Sequence, residues 1–226
     1  MEAYLSSSEV VKEALESAFY EPARNLTKSR GKNIHRYAST KMGQRISVES
    51  TLEFDACFHF DFDKSIKRFC SQPIRYNYHL DEKKRSYVPD FLAEFNDGEF
   101  VLFEVKTNLA AYSESFKREF EAKKCAAEQL GIPLMLLKES EIRDAQLLKN
   151  LKLLHRYASR DDLTHYQQVI LSILSDFGPQ NVESLIHKTG MSCGGLMPMV
   201  CDLLARCLLD ADLGIPLNNQ TVLNYA

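Results

Sequence analysis

The sequence predicts an α/β protein, with a mixed central sheet flanked by helices and a small separate domain at its end. Three observations predict it. Stretches of strand composition alternate with stretches of helical spacing through the first two thirds of the chain. Two charged residues, Glu104 and Lys106, interrupt an otherwise apolar strand. Acids and bases are segregated: residues 22–48 hold seven bases and no acid, while from residue 161 onward seven acids face two bases.

Composition removes several classes. With 45% hydrophobic and 26% charged residues, the 226-residue chain can build one large domain or two smaller ones, and global disorder is excluded. No apolar run approaches the ~20 residues that span a bilayer. Residues 1–16 lack a basic segment leading into an apolar one, so a cytoplasmic protein without a signal peptide is expected. The cysteines (57, 70, 125, 193, 201 and 207) form no CxxC pair and read as reduced thiols. The six histidines show neither HxxxH nor HExxH, so no histidine-built metal centre is expected.

The elements follow in order. Residues 6–19 have amphipathic helical spacing, with Val10, Ala14, Leu15 and Ala18 on one side and Pro22 beyond the end. Residues 23–45 lack clear periodicity and read as an extended basic arm. Residues 48–61 return to helical spacing, with Ser50 or Ser47 as cap. Strands are predicted at 66–70, 74–80, 87–95 and 100–106, separated by Pro73, by the charged turn 81–84 and by Asn96-Asp97-Gly98. A helix over 113–130, capped by Ser113 or Ser115 and stopped by Gly131, precedes a buried strand at 132–137 and a helix at 145–158. After the connector 159–162 come helices at 165–174, 182–189 and 194–204, then strand-like segments at 207–210 and 221–225. That order is a winged helix-turn-helix pattern. The predicted boundaries are 1–160 for the α/β domain with its basic arm and 163–226 for the winged-helix domain.

The chemistry concentrates in Val88-Pro89-Asp90-Phe91 and Phe103-Glu104-Val105-Lys106. Alternation places Glu104 and Lys106 on one strand face. Asn96-Asp97-Gly98 suits a three-residue hairpin loop with Gly98 in the left-handed conformation. That loop pairs Phe95 with Glu99 and brings Asp90 opposite Glu104. Charges buried in an apolar strand must be paired or bind a cation. An Asp, a Glu and a Lys together suit phosphodiester hydrolysis: carboxylate oxygens hold Mg²⁺, the metal lowers the pKa of a bound water, and the lysine orients that water or stabilises charge on the phosphate.

The pattern resembles the PD-(D/E)xK nuclease superfamily, and more closely the TnsA-type endonuclease subunits of heteromeric cut-and-paste transposases. The resemblance runs through Lys28-Ser29-Arg30-Gly31-Lys32-Asn33-Ile34, Glu49-Ser50-Thr51-Leu52-Glu53, Gln72-Pro73, the Asp90 and Glu104–Lys106 core, and Leu148-Lys149-Asn150-Leu151-Lys152. It implies a restriction-endonuclease-like core with Asp90, Glu104 and the carbonyl of Val105 as metal ligands, Glu53 as the helix acid of the site and a further metal ligand, and Lys106 as the catalytic lysine. Mg²⁺ is the implied cofactor, with Mn²⁺ as substitute. Glu49, one turn before Glu53, is the alternative helix acid. The implied activity is hydrolysis of the non-transferred strand at transposon ends, leaving 5′-phosphate and 3′-hydroxyl. The implied partners are DNA, the strand-transferring transposase TnsB, and the AAA+ regulator TnsC through the tail domain. The alternatives are a restriction or repair nuclease of the same fold and a non-catalytic DNA-binding adaptor; the adaptor fits poorly with an intact acid set.

Two peripheral features complete the reading. Arg24, Lys28, Arg30, Lys32, Arg36, Lys41 and Arg45 are expected to track a phosphate backbone. The third helix of the tail offers no Lys or Arg over 194–204, so a protein partner is expected there rather than DNA.

Overall fold

A computed structural model describes residues 8–24, 26 and 33–226, so Lys28, Arg30 and Lys32 lie outside the described residues. The chain divides into two compact units, Met1–Ile142 and Arg143–Ala226.

In the first unit, β3 (Ile66–Ser71), β6 (Phe91–Phe95), β7 (Phe100–Lys106) and β8 (Leu134–Lys138) form one sheet in the order β3-β6-β7-β8. β3, β6 and β7 run antiparallel, and β7 and β8 are parallel. A parallel neighbour needs a crossover, supplied by α3 (Asn108–Ala111) and α4 (Glu114–Gln129), and the short α5 (Glu139–Ile142) follows β8. Ser113 caps α4 by accepting the Phe116 amide, and Gly131 follows it at φ +77°.

Alternation along β6 and β7 sorts two apolar layers. Phe91 and Phe103 meet Phe60 of α2 (Thr51–Phe62), with ring centroids 4.9 and 5.1 Å away. On the other face, Leu92 and Leu102 share a core with Phe120 and Ala127 of α4 and with Val11 and Leu15 of α1 (Ser8–Ala18). Each fully buried side chain of this size contributes about 1.5–3 kcal/mol.

Two hairpins depart from expectation. Residues 35–48 form β1 (His35–Ser39) and β2 (Gln44–Val48), so the second half of the expected arm is a ribbon, and Val48 belongs to it rather than to α2. Its inward positions, Tyr37, Ile46 and Val48, are buried between exposed Arg36, Ala38 and Arg45. Buried Asp61 of α2 anchors it, accepting from the Tyr37 hydroxyl (3.0 Å), the backbone amides of Thr40 (3.1 Å) and Lys41 (3.0 Å), and the hydroxyls of Thr40 (3.0 Å) and Ser39. The second hairpin joins β4 (Tyr76–Leu80) to β5 (Lys83–Tyr87) through Asp81 and Glu82, both at positive φ. The strand expected over 87–95 is therefore two strands, broken at Pro89. The second half of what looked like a charged turn, Lys83 and Lys84, is the start of β5, hydrophilic because most of that strand is exposed.

The second unit contains α6 (Ala145–Tyr157), α7 (His165–Phe177), α8 (Val182–Thr189) and α9 (Cys193–Ala205). With them stands a small antiparallel sheet of β10 (Leu209–Asp210), β11 (Val222–Tyr225) and β9 (Gln180–Asn181). β9 was not anticipated. The expected boundary at 160–163 moves upstream to 142, and α6 joins the tail. The reasons are long-range. Buried Asn150 donates its amide to the carbonyls of Leu213 (2.8 Å) and Ile215 (2.7 Å). Buried Asp202 of α9 accepts from the Ser159 amide (2.7 Å), Gln167 of α7 (2.6 Å) and Arg206 (2.9 Å). With α6 come Arg143, Lys149, Lys152, Arg156 and Arg160, so this unit is nearly charge-balanced rather than strongly acidic.

Candidate active site

The Phe95–Glu99 loop sets the register of the site. The Phe95 amide donates to the Glu99 carbonyl (2.8 Å), the Gly98 amide donates to the Phe95 carbonyl (3.0 Å), and Gly98 sits at φ +88°. This three-residue loop pairs Phe91 with Phe103 and Leu92 with Leu102. Asp90, one residue before β6, consequently falls opposite Glu104; its amide donates to the Phe103 carbonyl at 3.0 Å, and its Oδ2 accepts from the Val105 amide at 2.8 Å. The sequence-derived register matches the structure.

Asp90, Glu104 and Lys106 come together as expected. Lys106 Nζ is 2.6 Å from Glu104 Oε1. Asp90 is pushed up to about 8 by withdrawal from water, reinforced by the negative charges of Glu104 and Glu53 and opposed by Lys106. Burial alone would lower Lys106, but Glu104 and Asp90 outweigh it and the ammonium is held above its ordinary value.

The two helix acids separate. Glu49 forms an ion pair with Arg24 at 2.7 Å. Glu53 is tied into the cap of α2: its amide donates to Ser50 Oγ (3.1 Å), while its carboxylate accepts from the Ser50 hydroxyl (2.7 Å) and the Glu49 amide (3.0 Å). Glu53 thus reaches Asp90 through its charge while its oxygens serve its own helix. Among the described residues, no group of three or more His, Cys, Asp or Glu side chains stands ready to hold a metal ion. The donor set for a cation is then two carboxylates, of Asp90 and Glu104, supplemented by backbone oxygen and water. This set fits Mg²⁺, which takes hard oxygen ligands and keeps several waters. The raised Asp90 is what a nearby cation would relieve.

The arm residues divide. Arg36 and Arg45 lie exposed on the same face of the β1–β2 ribbon. Lys41 is engaged within the protein: its ammonium binds the carbonyls of Phe60 (2.9 Å) and Asp63 (2.6 Å), at the C-terminal end of α2 where carbonyls lack helical partners, and that of Ile66 (2.6 Å) at the start of β3. Arg24 is engaged by Glu49.

Two neighbours were missed. Tyr87, at the end of β5, donates its hydroxyl to Glu104 Oε2, and burial with the adjacent Glu104 charge drives its pKa far upward. Lys123 of α4 is buried 3.9 Å from Glu104 Oε1. A signal for Lys123 existed: it occupies the inward stripe Phe116, Phe120, Lys123 and Ala127, where an apolar residue belongs.

A mixed sheet flanked by helices, with an Asp, a Glu and a Lys clustered at its antiparallel pair, is a nuclease-like arrangement. Residues 63–139 match the TnsA-like endonuclease N-terminal family, from the start of β3 through β8, and the match supports a TnsA-type nuclease. Among curated proteins, none matches the chain. No helix among the described residues is long and apolar enough to cross a membrane.

Proposed function

We propose that this protein is the transposon-end endonuclease of a heteromeric transposase, hydrolysing the strand not joined to target DNA. The observation that carries the reading is the convergence of Asp90, Glu104 and Lys106 inside the segment matching the TnsA-like family.

In this reading Asp90 and Glu104, with the carbonyl of Val105, hold Mg²⁺ or Mn²⁺. Bound there, the metal supplies polarisation of the phosphate and a water of lowered pKa. Lys106 leaves Glu104 to orient the attacking water or to stabilise charge on the phosphate oxygens. The Val105 amide fixes one Asp90 oxygen and leaves the other for the cation. Glu53 adds negative charge from the start of α2 without giving up its cap. Arg36 and Arg45 meet the DNA backbone.

The second unit is read as a winged helix, with α7, α8 and α9 as its helices and β10–β11 as its wing. α9 carries no Lys or Arg over Cys193–Ala205 and presents half-buried Met197 and Met199, which suits an adaptable protein contact better than a groove of DNA. We assign that contact to the AAA+ regulator TnsC, with TnsB acting on the other strand.

The test is reconstitution with candidate partner subunits and end-labelled transposon DNA. Mg²⁺-dependent nicking of the non-transferred strand, dependent on the partners, is the expected result. Robust cutting at an intrinsic site by the purified chain alone would instead identify a restriction or repair nuclease.

A further inference from the structure

Glu104 is held by more groups than the proposed chemistry uses. Lys106 and Lys123 both approach the same oxygen, Oε1, at 2.6 and 3.9 Å, while Tyr87 donates to Oε2. Lys123 arrives from the α4 crossover, with its Nζ 4.2 Å above the Tyr87 ring and 3.1 Å from Glu119 Oε1. Glu119 also accepts from the Tyr78 hydroxyl at 2.7 Å. Burying an ammonium is costly unless paired, and Lys123 is placed between two carboxylates, one at the site and one toward its rim.

We infer that Lys123 is a positioning residue of the active site, a second cation on Glu104 that holds this carboxylate while Lys106 leaves it for the phosphate. This rests on reading Asp90 and Glu104 as the metal pair. With one lysine, Glu104 would keep Lys106 as its counter-ion, and moving that lysine to DNA would strip a buried carboxylate of its cation. With two, Lys106 is released at lower cost. The arrangement has an electrostatic consequence. Lys123 repels a divalent ion at Glu104, and Glu119 moderates the repulsion by drawing the ammonium outward. Removing Lys123 and removing the Glu119 charge should therefore move metal affinity in opposite directions.

The experiment titrates the full-length protein with Mn²⁺ alone, without DNA, by calorimetry. Lys123→Met should bind Mn²⁺ roughly threefold to tenfold more tightly than wild type, and Glu119→Gln weaker by a similar factor, the size of one charge acting over several ångströms in a partly solvated site. Lys123→Arg, which restores the charge, should return toward wild-type affinity. In the reconstituted cleavage assay, Lys123→Met should lower kcat by roughly tenfold with the KM for DNA unchanged. Glu119 lies at the solvent edge, so its variant tests the idea even where Lys123→Met folds poorly. A parallel loss of Mn²⁺ affinity and melting temperature in both variants, or no change in either, would overturn the inference. Wild-type protein that neither binds Mn²⁺ nor cuts transposon ends would overturn the reading beneath it, whereas a competent wild type with an indifferent Lys123→Met overturns the inference alone.

Discussion

Asp90 stands opposite Glu104 across an antiparallel strand pair, and one of its oxygens accepts the amide of Val105, the neighbour of Glu104, at 2.8 Å. Burial, reinforced by the repulsion between two carboxylates fixed this way, pushes Asp90 up to about 8. A carboxylate whose folded-state pKa lies above its unfolded value binds more protons in the native state between the two values. Metal-free stability therefore falls as pH rises from about 4 to about 8. Asp90→Asn, which keeps an oxygen for the Val105 amide, should remove that slope. Its stability gain over wild type should grow across this range to the order of a few kcal/mol. Thermal unfolding of both proteins from pH 4 to 9 with a chelator present measures it. Equal slopes would show that Asp90 is not perturbed in this way.

Loss of either acid should remove the chemistry. Asp90→Ala and Glu104→Ala are each expected to lower Mg²⁺-dependent cleavage by roughly a hundredfold or more. Circular dichroism and melting curves establish matched folding. Near-wild-type cleavage by either variant would end the site assignment.

The acid pair was legible because a local rule governed it. Asn96-Asp97-Gly98 dictates loop length, loop length dictates register, and register brings Asp90 to Glu104. The central helices and strands were legible for similar reasons of periodicity and capping. The hairpins were not. Arg36 and Arg45 disguise β1–β2 as a charged arm, and the buried acceptor that anchors the ribbon, Asp61, lies in a later helix. Lys83 and Lys84 disguise the start of β5 as a turn for the same reason. The placement of α6 depends on Asn150 reaching carbonyls more than sixty residues away, which no local pattern encodes, whereas Ser159-Arg160-Asp161-Asp162 has the polar composition of a linker. Lys123 was visible only as one lysine on an apolar stripe, and its meaning required Glu104 beside it.

Arg36 and Lys41 lie five residues apart and should behave as different kinds of residue. Arg36→Glu with Arg45→Glu should weaken DNA binding and reduce the salt dependence by close to one unit of slope for each phosphate no longer neutralised. Lys41→Met should leave that slope unchanged and destabilise the fold, because the carbonyls of Phe60 and Asp63 at the end of α2 and of Ile66 at the start of β3 lose their donor. About 1–3 kcal/mol is expected for such a charged hydrogen-bonding group. Salt titrations of DNA binding beside denaturant melts separate the two effects. A lowered salt slope with unchanged stability in Lys41→Met would return this residue to the DNA surface.

Truncation should distinguish the two candidate boundaries of the nuclease unit. A chain ending at residue 160 retains α6 but loses α9, and so uncovers the buried positions Leu148, Leu151 and Leu154. Such a helix face carries an apolar stripe without its cover. A chain ending at residue 142 removes α6 together with its partners. The shorter protein should therefore be the better behaved, with a sharper unfolding transition and weaker binding of a hydrophobic dye. It keeps Asp90, Glu104, Lys106 and Lys123, and should retain the Mn²⁺ affinity of the full chain. Partner-dependent cleavage should be lost, because the proposed docking module is gone. Comparing the two truncations by melting, dye binding and pull-down against the regulatory ATPase decides the matter. A well-folded chain ending at 160, beside an aggregating chain ending at 142, would place α6 with the nuclease and move the boundary back.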